Sequence, residues 1–201
     1  TAHIEGKIDR VDYLPGERVK IIDYKTGNEN FSVAEAEAGY RLQLMLYLEA
    51  SLERRMKPAG VFYFKISEPM VDASGAVIGS EEITDKIQKS FKLNGVIVDD
   101  PNVIRNVAGD FSGISDVVPI RINKEGLISG TGKDNLLTDE EFESLREKVG
   151  EKVTDICKSL ADGGIEIHPM KTAATSACAY CRYKGICRFD TIFEGCSYNI
   201  I

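Results

Sequence analysis

The sequence predicts an α/β fold, with a mixed β-sheet flanked by α-helices. Two observations predict it. The first 65 residues alternate between short strand-like segments and an apolar helical segment, and residues 138–160 carry apolar side chains at the spacing of a long amphipathic helix. Hydrophobic residues make up 43% and charged residues 28% of the 201 residues, values that exclude disordered, collagen-like and fibrous chains.

The N-terminal third predicts a hairpin followed by a helical layer and a third strand. Turn-forming residues separate the two hairpin strands, and the spacing of Ser32 and Glu35 fits a capping box. The next helical segment is apolar over much of its surface, so we expect it to be buried. The predicted hairpin consists of a strand at residues 3–13, a turn at 14–17 and a strand at 18–25. A helix start at 32–35, a buried helix at 40–55 and a buried strand at 59–65 follow.

The remainder of the chain is less regular. Glycines divide residues 66–135 into short pieces, whereas Thr138 and Glu141 form a second capping-box sequence at the start of the long helix. The elements predicted here are a helix at residues 81–91, a few edge strands of which 117–122 is the clearest, the long helix at 138–162 and a strand-like segment at 165–168. Long loops are expected between the elements of residues 66–135.

We interpret residues 1–201 as one domain made of core motifs (1–65), an insert with the long helix (66–172) and a cysteine tail (173–201). The chain starts with Thr1 and shows no signal peptide, so we expect a piece of a longer, cytoplasmic protein. No apolar run approaches the length of a transmembrane helix, and we expect no membrane partner.

The formal net charge of −7 argues, by itself, against a basic nucleic-acid-binding domain. The excess of acidic residues lies between 66 and 172, however, and residues 1–65 hold as many basic as acidic side chains. The charge of residues 1–65 therefore does not exclude a nucleic-acid substrate for this segment.

The hairpin carries the chemical motif. Asp23 and Lys25 are two residues apart on a strand, so their side chains share a face. A hairpin loop with an odd number of residues puts Asp9 opposite Asp23 and Lys7 opposite Lys25. Two carboxylates and a lysine at one point can hold hard divalent cations, activate water and stabilise charge on a phosphate. The alternative is an exposed hairpin with alternating charges.

Three sequences, GKIDRVD at 6–12, DYKTG at 23–27 and QLMLY at 43–47, together resemble the RecB-type branch of the PD-(D/E)xK nucleases. The resemblance implies a restriction-endonuclease-like core. It implies that Mg²⁺ or Mn²⁺ is bound by Asp9, Asp23 and the backbone carbonyl of Tyr24, and that Lys25 is the catalytic lysine.

In that branch, Gln43 and Tyr47 lie beside the active site. They are four residues apart and so share a helix face. The alternative for the pair by itself is a buried tyrosine hydrogen-bonded to a glutamine.

Three cysteines, Cys178, Cys181 and Cys187, have a spacing that fits an iron–sulfur or a zinc site, and the tail lacks a suitable histidine for zinc. Reduced structural cysteines are the alternative. The tail resembles that of iron–sulfur-containing RecB-type nucleases, which implies a [4Fe–4S] cluster whose fourth cysteine lies upstream. Neither Cys157, expected in the core, nor Cys196 matches that position, although Cys196 could stand in as the fourth ligand. The cluster is therefore expected to be incomplete or absent in these 201 residues.

The long insert and the tail narrow the resemblance to nuclease domains of bacterial helicase–nuclease complexes. It implies a metal-dependent DNA exonuclease that processes double-strand breaks for recombinational repair and hydrolyses the 5′-ended strand, with DNA and a helicase–nuclease subunit as partners. A CRISPR-associated or stand-alone exonuclease, and a non-catalytic DNA-end-binding module, are the alternatives.

Overall fold

The computed structural model describes most of the chain. The described residues are 2–27, 29–66, 83–84, 87, 91–131, 135–173 and 175–201.

The described residues form ten strands and five helices. The strands are β1 (Arg10–Leu14), β2 (Arg18–Lys25), β3 (Lys57–Lys65), β4 (Asn94–Val98), β5 (Gly113–Ile114), β6 (Ile120–Ile122), β7 (Ile128–Gly130), β8 (Leu136–Leu137), β9 (Met170–Lys171) and β10 (Asn199–Ile200). The helices are α1 (Val33–Glu37), α2 (Gln43–Ser51), α3 (Pro101–Ala108), α4 (Asp139–Ala161) and α5 (Lys184–Cys187).

A five-stranded mixed sheet in the order β1-β2-β3-β4-β8 forms the centre of the fold. The hairpin β1–β2 is antiparallel, β2 and β3 are parallel, β3 and β4 are antiparallel, and β4 and β8 are parallel. Two small sheets, β5-β6-β7 and β9-β10, accompany it. The expectation of a mixed sheet flanked by helices is confirmed.

The two faces of the sheet bury different sets of side chains. On one face, Val19, Ile21 and Val61 pack against α1, α2 and α4, and Phe142 of α4 is fully buried there. The other face carries Phe62, which packs with residues of α3 and β6. Alternation along β2 therefore sends every second residue, Asp23 included, toward the face covered by α2.

A buried ion pair fixes the long helix to the start of β2. Arg18 is buried, and its guanidinium donates a bidentate pair of hydrogen bonds to Asp139, of 2.5 and 2.9 Å, at the first residue of α4. It also donates to the Pro58 carbonyl oxygen at 2.9 Å. The hydrogen bonding from Arg18 lowers the pKa of Asp139.

Several predicted elements are confirmed. Strand β2 has the predicted bounds, and α4 begins after Thr138, whose side chain and that of Glu141 form the predicted capping box. At the earlier site Ser32 accepts a hydrogen bond from the Glu35 backbone N–H, which caps α1.

Other predictions are wrong in extent. The first strand is paired only from Arg10, and the buried helix is the nine-residue α2 rather than 40–55. In the segment 117–122, only β6 pairs, because the Ser115 hydroxyl accepts from the backbone N–H groups of the two residues after Asp116 and makes a turn. Residues 165–168 are exposed and irregular.

The strand β4 and the helix α3 were not located from the sequence. Neither were the short elements β5, β7, β8, β9, β10 and α5. The helix expected at 81–91 falls mostly outside the described residues. Within the part of the chain that the structure describes, no helix combines the length and apolar character that crossing a membrane requires.

Candidate active site

The register of the hairpin assigns the two predicted aspartates to opposing positions. A three-residue turn between Leu14 and Arg18 sets the register, in which Arg10 pairs with Ile22. The loop is therefore odd, as the sequence argument required, and the same register continued by one residue places Asp9 opposite Asp23.

Asp9 lies just before β1 and is exposed. Its Oδ2 accepts a hydrogen bond of 3.0 Å from the backbone N–H of Tyr24. This contact holds the carboxylate against the strand that carries Asp23. The other Asp9 oxygen is not engaged in this bond, so the carboxylate can still offer an oxygen to a cation.

Asp23 is a buried carboxylate, with 2% of its surface exposed. Its Oδ2 lies 2.6 Å from Lys25 Nζ but receives no hydrogen bond of acceptable geometry from the described residues. A buried carboxylate oxygen is costly unless it is paired and hydrogen-bonded. Hard divalent cations prefer such oxygen ligands, so the donor set at Asp23 fits a divalent metal ion.

Lys25 begins a series of side-chain hydrogen bonds that connects the sheet to α2. Its Nζ donates a hydrogen bond of 2.7 Å to Gln43 Oε1. The amide of Gln43 donates in turn to the Tyr47 hydroxyl at 2.9 Å. The structure thus brings together Asp23, Lys25, Gln43 and Tyr47, four residues that the sequence motifs singled out.

Tyr63 completes the floor of the site, and the sequence motifs did not include it. It is paired with Asp23 in the β2–β3 register, and its ring centroid lies 5.4 Å from Lys25 Nζ. Burial, followed by the negative charge of Asp23, raises the pKa of Tyr63 to about 12. Its hydroxyl is therefore protonated at neutral pH. The sequence feature that could have identified Tyr63 is its place in the predicted strand that follows the strand of Asp23 and Lys25.

Tyr24 contributes its backbone rather than its side chain. The ring lies on the opposite face of the sheet, in a T-shaped contact with Phe64 at 5.8 Å between ring centroids. Lys7, predicted to lie opposite Lys25, is exposed and precedes the paired part of β1.

A second set of charges borders the site, and the sequence motifs did not include it either. Arg41, just before α2, forms ion pairs with Glu29 at 3.0 Å and with Glu35 at 3.4 Å. The signal in the sequence was weak: an arginine two residues before Gln43.

The three tail cysteines are also brought together, although less tightly. Cys178, Cys181 and Cys187 line one cavity of about 270 Å³, which Tyr198 also borders. In the described ranges, no three His, Cys, Asp or Glu side chains converge closely enough to hold a metal ion. Three thiols around one cavity have the chemistry of iron–sulfur ligands but supply three of the usual four. Cys196 does not line this cavity.

Known proteins match almost the whole chain. The model of the PD-(D/E)XK nuclease superfamily matches residues 2–188. An ATP-dependent helicase/deoxyribonuclease subunit of the AddB type from Clostridium botulinum (strain Hall) is 39% identical over 206 aligned positions, which cover 98% of this chain and 18% of that protein. Proteins of the same name from Clostridium kluyveri and a Thermoanaerobacter species are each 38% identical, with the same coverage. The chain thus spans about a fifth of the length of these relatives, and it belongs to the PD-(D/E)XK nuclease superfamily.

Proposed function

We propose that this chain is the nuclease domain of an AddB-type subunit of a helicase–nuclease, and that it hydrolyses phosphodiester bonds of DNA. The observation that carries the proposal is the buried Asp23 carboxylate, whose Oδ2 lies 2.6 Å from Lys25 Nζ and has no further partner among the described residues. Family membership and the names of the relatives support it.

In this proposal Asp9, Asp23 and the backbone carbonyl of Tyr24 hold Mg²⁺ or Mn²⁺. A divalent cation supplies a more acidic bound water and offsets the negative charge that develops on the phosphate. Lys25 stabilises that charge and orients the attacking water, since its ammonium group already lies at the carboxylate.

Gln43 and Tyr47 position the lysine. Lys25 has three N–H donors, and its bond to Gln43 Oε1 directs one of them toward α2. The Tyr47 hydroxyl, by accepting from the Gln43 amide, fixes which end of that amide faces Lys25. The lysine is thereby held in one orientation before substrate arrives, which reduces the ordering needed at the reaction step.

The cysteine tail has a separate role in the proposal. Cys178, Cys181 and Cys187 supply three ligands of a [4Fe–4S] cluster, and the fourth comes from elsewhere in the full-length protein. The shared cavity of the three thiols supports this assignment. Such a cluster joins the tail to the distant part of the protein that provides the fourth ligand, so its contribution is structural.

By extension from the relatives, the complete protein acts in the cytoplasm with an AddA-type helicase–nuclease subunit. We propose that it processes double-strand breaks for recombinational repair and that this domain cuts the 5′-ended strand. The similarity to helicase/deoxyribonuclease subunits over 98% of the chain favours this function over a CRISPR-associated or stand-alone exonuclease.

The test is Asp23→Asn in the full-length protein with its partner subunit, on duplex DNA labelled on the 5′-ended strand. We expect cleavage of that strand to fall by about 1000-fold, because the cation loses its buried ligand, while unwinding is unchanged. Asp155→Asn, at an exposed position of α4, is the matched control. Unchanged cleavage in Asp23→Asn would support a non-catalytic DNA-end-binding module instead.

A further inference from the structure

The connection between α1 and α2 has an unusual backbone. Gly39 has a φ of 89° and Arg41 a φ of 54°, so two residues within three adopt left-handed conformations. Glycine accepts this conformation readily, but a residue with a Cβ does so at a cost. Such a residue persists only where its surroundings hold it, and these positions concentrate at functional sites. The contacts that hold Arg41 are therefore of functional interest.

Arg41 connects the two segments that frame the proposed active site. Its guanidinium reaches Glu29, four residues beyond Lys25 in the chain, with Nη1 3.0 Å from Glu29 Oε2. Two residues after Arg41 comes Gln43, which accepts the hydrogen bond from Lys25. Arg41 is therefore linked by chain to Gln43 and by an ion pair to the loop that follows the catalytic strand.

Residues 29–31 of that loop contact β4 and Arg41. The backbone N–H of Phe31 donates a hydrogen bond of 2.9 Å to Asn94 Oδ1, and Asn94 pairs with Tyr63 across β3 and β4. The Nη1 of Arg41 also donates to the Asn30 carbonyl oxygen at 3.1 Å. These contacts place the arginine on the same face of the sheet as Tyr63.

The guanidinium is held but still accessible. Its side chain is 27% exposed, and its ion pairs use Nη1 and Nε. Glu35 is the more buried of its two partners, at 18% exposure against 39% for Glu29. A planar guanidinium offers five N–H donors, and its geometry matches the paired oxygens of a phosphate group. Glu29, at the open side, is the partner that a phosphate can replace or join.

We propose that Arg41 binds a backbone phosphate of the DNA strand next to the bond that is cut. This inference rests on the proposed nuclease function and adds a substrate-binding residue to it. Glu35 holds the guanidinium in place before DNA arrives, and Glu29 pairs with it until the phosphate takes the place of that carboxylate. Arg41 then contributes to the affinity for the DNA strand, whereas Asp23 and Lys25 act on the phosphodiester bond that breaks.

The test compares Arg41→Gln with Arg105→Gln in the full-length protein and its partner subunit, with single-stranded oligonucleotides and Mg²⁺. Arg105 lies on α3, on the opposite face of the sheet, and pairs with Asp110 at 3.0 Å. For Arg41→Gln we expect a KM about tenfold higher and a kcat within about twofold, because a charge-assisted phosphate contact is lost from binding. The slope of log affinity against log salt should fall by about 0.7, the value for one phosphate contact on a single strand. Arg105→Gln should change neither quantity.

Glu29→Gln separates phosphate binding from a purely structural ion pair. It removes the partner of Arg41 but keeps the arginine charge, so KM should stay constant or fall. A rise in KM equal to that of Arg41→Gln would overturn the proposal, since the ion pair itself would then be what matters. If Arg41→Gln lowers the melting temperature, Arg41→Lys serves in its place: it keeps the charge but not the fork of donors, and an intermediate KM is expected.

Asp23→Asn distinguishes failure of this inference from failure of the proposed function. Loss of cleavage in Asp23→Asn with unchanged KM and salt slope in Arg41→Gln would overturn the role of Arg41 alone. Retained cleavage in Asp23→Asn would overturn the nuclease function, and the role of Arg41 with it.

Discussion

The carboxylate site and the cysteine tail differ in how firmly the fold holds their functional side chains. Asp23 and Lys25 lie on an eight-residue strand inside a five-stranded sheet, and a chain of hydrogen bonds orients the lysine. The tail cysteines lie around a four-residue helix and the two-residue strands β9 and β10, and two of the three are exposed.

The difference follows from what surrounds each region. The strand β2 is buried along most of its length by α2 and β3, so sheet register and packing fix its side chains before any ligand binds. The tail has little apolar burial of its own. Ile186 is 85% exposed and Tyr180 is 90% exposed. A region of this kind gains its order from a bound group or a contact with another part of the protein, because metal ligation contributes directly to folding free energy.

The largest change is expected in the cleavage rate, when Lys25 of the carboxylate site is replaced. Lys25→Met removes the ammonium group but keeps both carboxylates, so we expect cleavage of the 5′-ended strand to fall by about 1000-fold while Mn²⁺ binding persists. Cleavage rates and calorimetric Mn²⁺ titration of the full-length protein measure the two quantities. Arg105→Gln is the charge-matched control. Near-normal cleavage by Lys25→Met would remove the lysine from the catalytic set.

A medium effect is expected on the stability of the sheet-and-helix core. Asp139→Asn removes the bidentate partner of the buried Arg18 charge and leaves only the Asp100 carboxylate at 3.4 Å, so the free energy of unfolding should fall by about 2 kcal/mol at pH 7. Urea unfolding of the 201-residue chain measures it, with Asp155→Asn as the exposed control.

The same pair predicts a pH dependence. The pKa of Asp139 is lowered in the folded state from an ordinary value of 3.8. Its contribution to stability is therefore complete above that value and is lost as the pH falls through the lower folded pKa. The Asn variant should lose less stability than the native chain in that acid range. If the free energies of unfolding of the two proteins fall equally with decreasing pH, the ion pair between Arg18 and Asp139 does not contribute to stability.

The smallest expected effect on the core comes from the tail. Cys181→Ser should change the free energy of unfolding of the core by less than about 0.5 kcal/mol, because Cys181 is exposed and lies outside both apolar clusters. In the full-length protein the same substitution should lower the iron content. Cys196→Ser, outside the shared cavity, should retain it. Full iron content in Cys181→Ser would contradict the assignment of this cysteine as a cluster ligand.

The sequence predicted the elements in which local pattern and tertiary environment agree. Strand β2 carries Val19, Ile21 and Ile22 directly after a turn sequence, and α4 has a capping box and regular spacing, so both could be located from local residues. The proximity of Asp23, Lys25, Gln43 and Tyr47 could be anticipated because the motifs on β2 and α2 resemble one family. The roles assigned to these residues and to Asp9 stay predictions.

The missed elements are those in which tertiary contacts override local pattern. Gly95 suggested a break, yet it lies in β4, an interior strand of the main sheet, where a Cβ would come within 2.0 Å of the Val61 carbonyl oxygen. Glycine is required there by the close approach of two backbones, which no local pattern indicates. Arg41 was missed for a related reason, since its role depends on Glu29 and Glu35 meeting it in space.

The central claim is that Asp23 is a ligand of a catalytic divalent cation, and calorimetric titration with Mn²⁺ tests it most directly. The full-length protein and its Asp23→Asn variant are titrated under the same conditions, with Asp155→Asn as the control. We expect Asp23→Asn to lose the Mn²⁺ binding that the unsubstituted protein shows, and Asp155→Asn to retain it. Equal Mn²⁺ binding by all three proteins would contradict it.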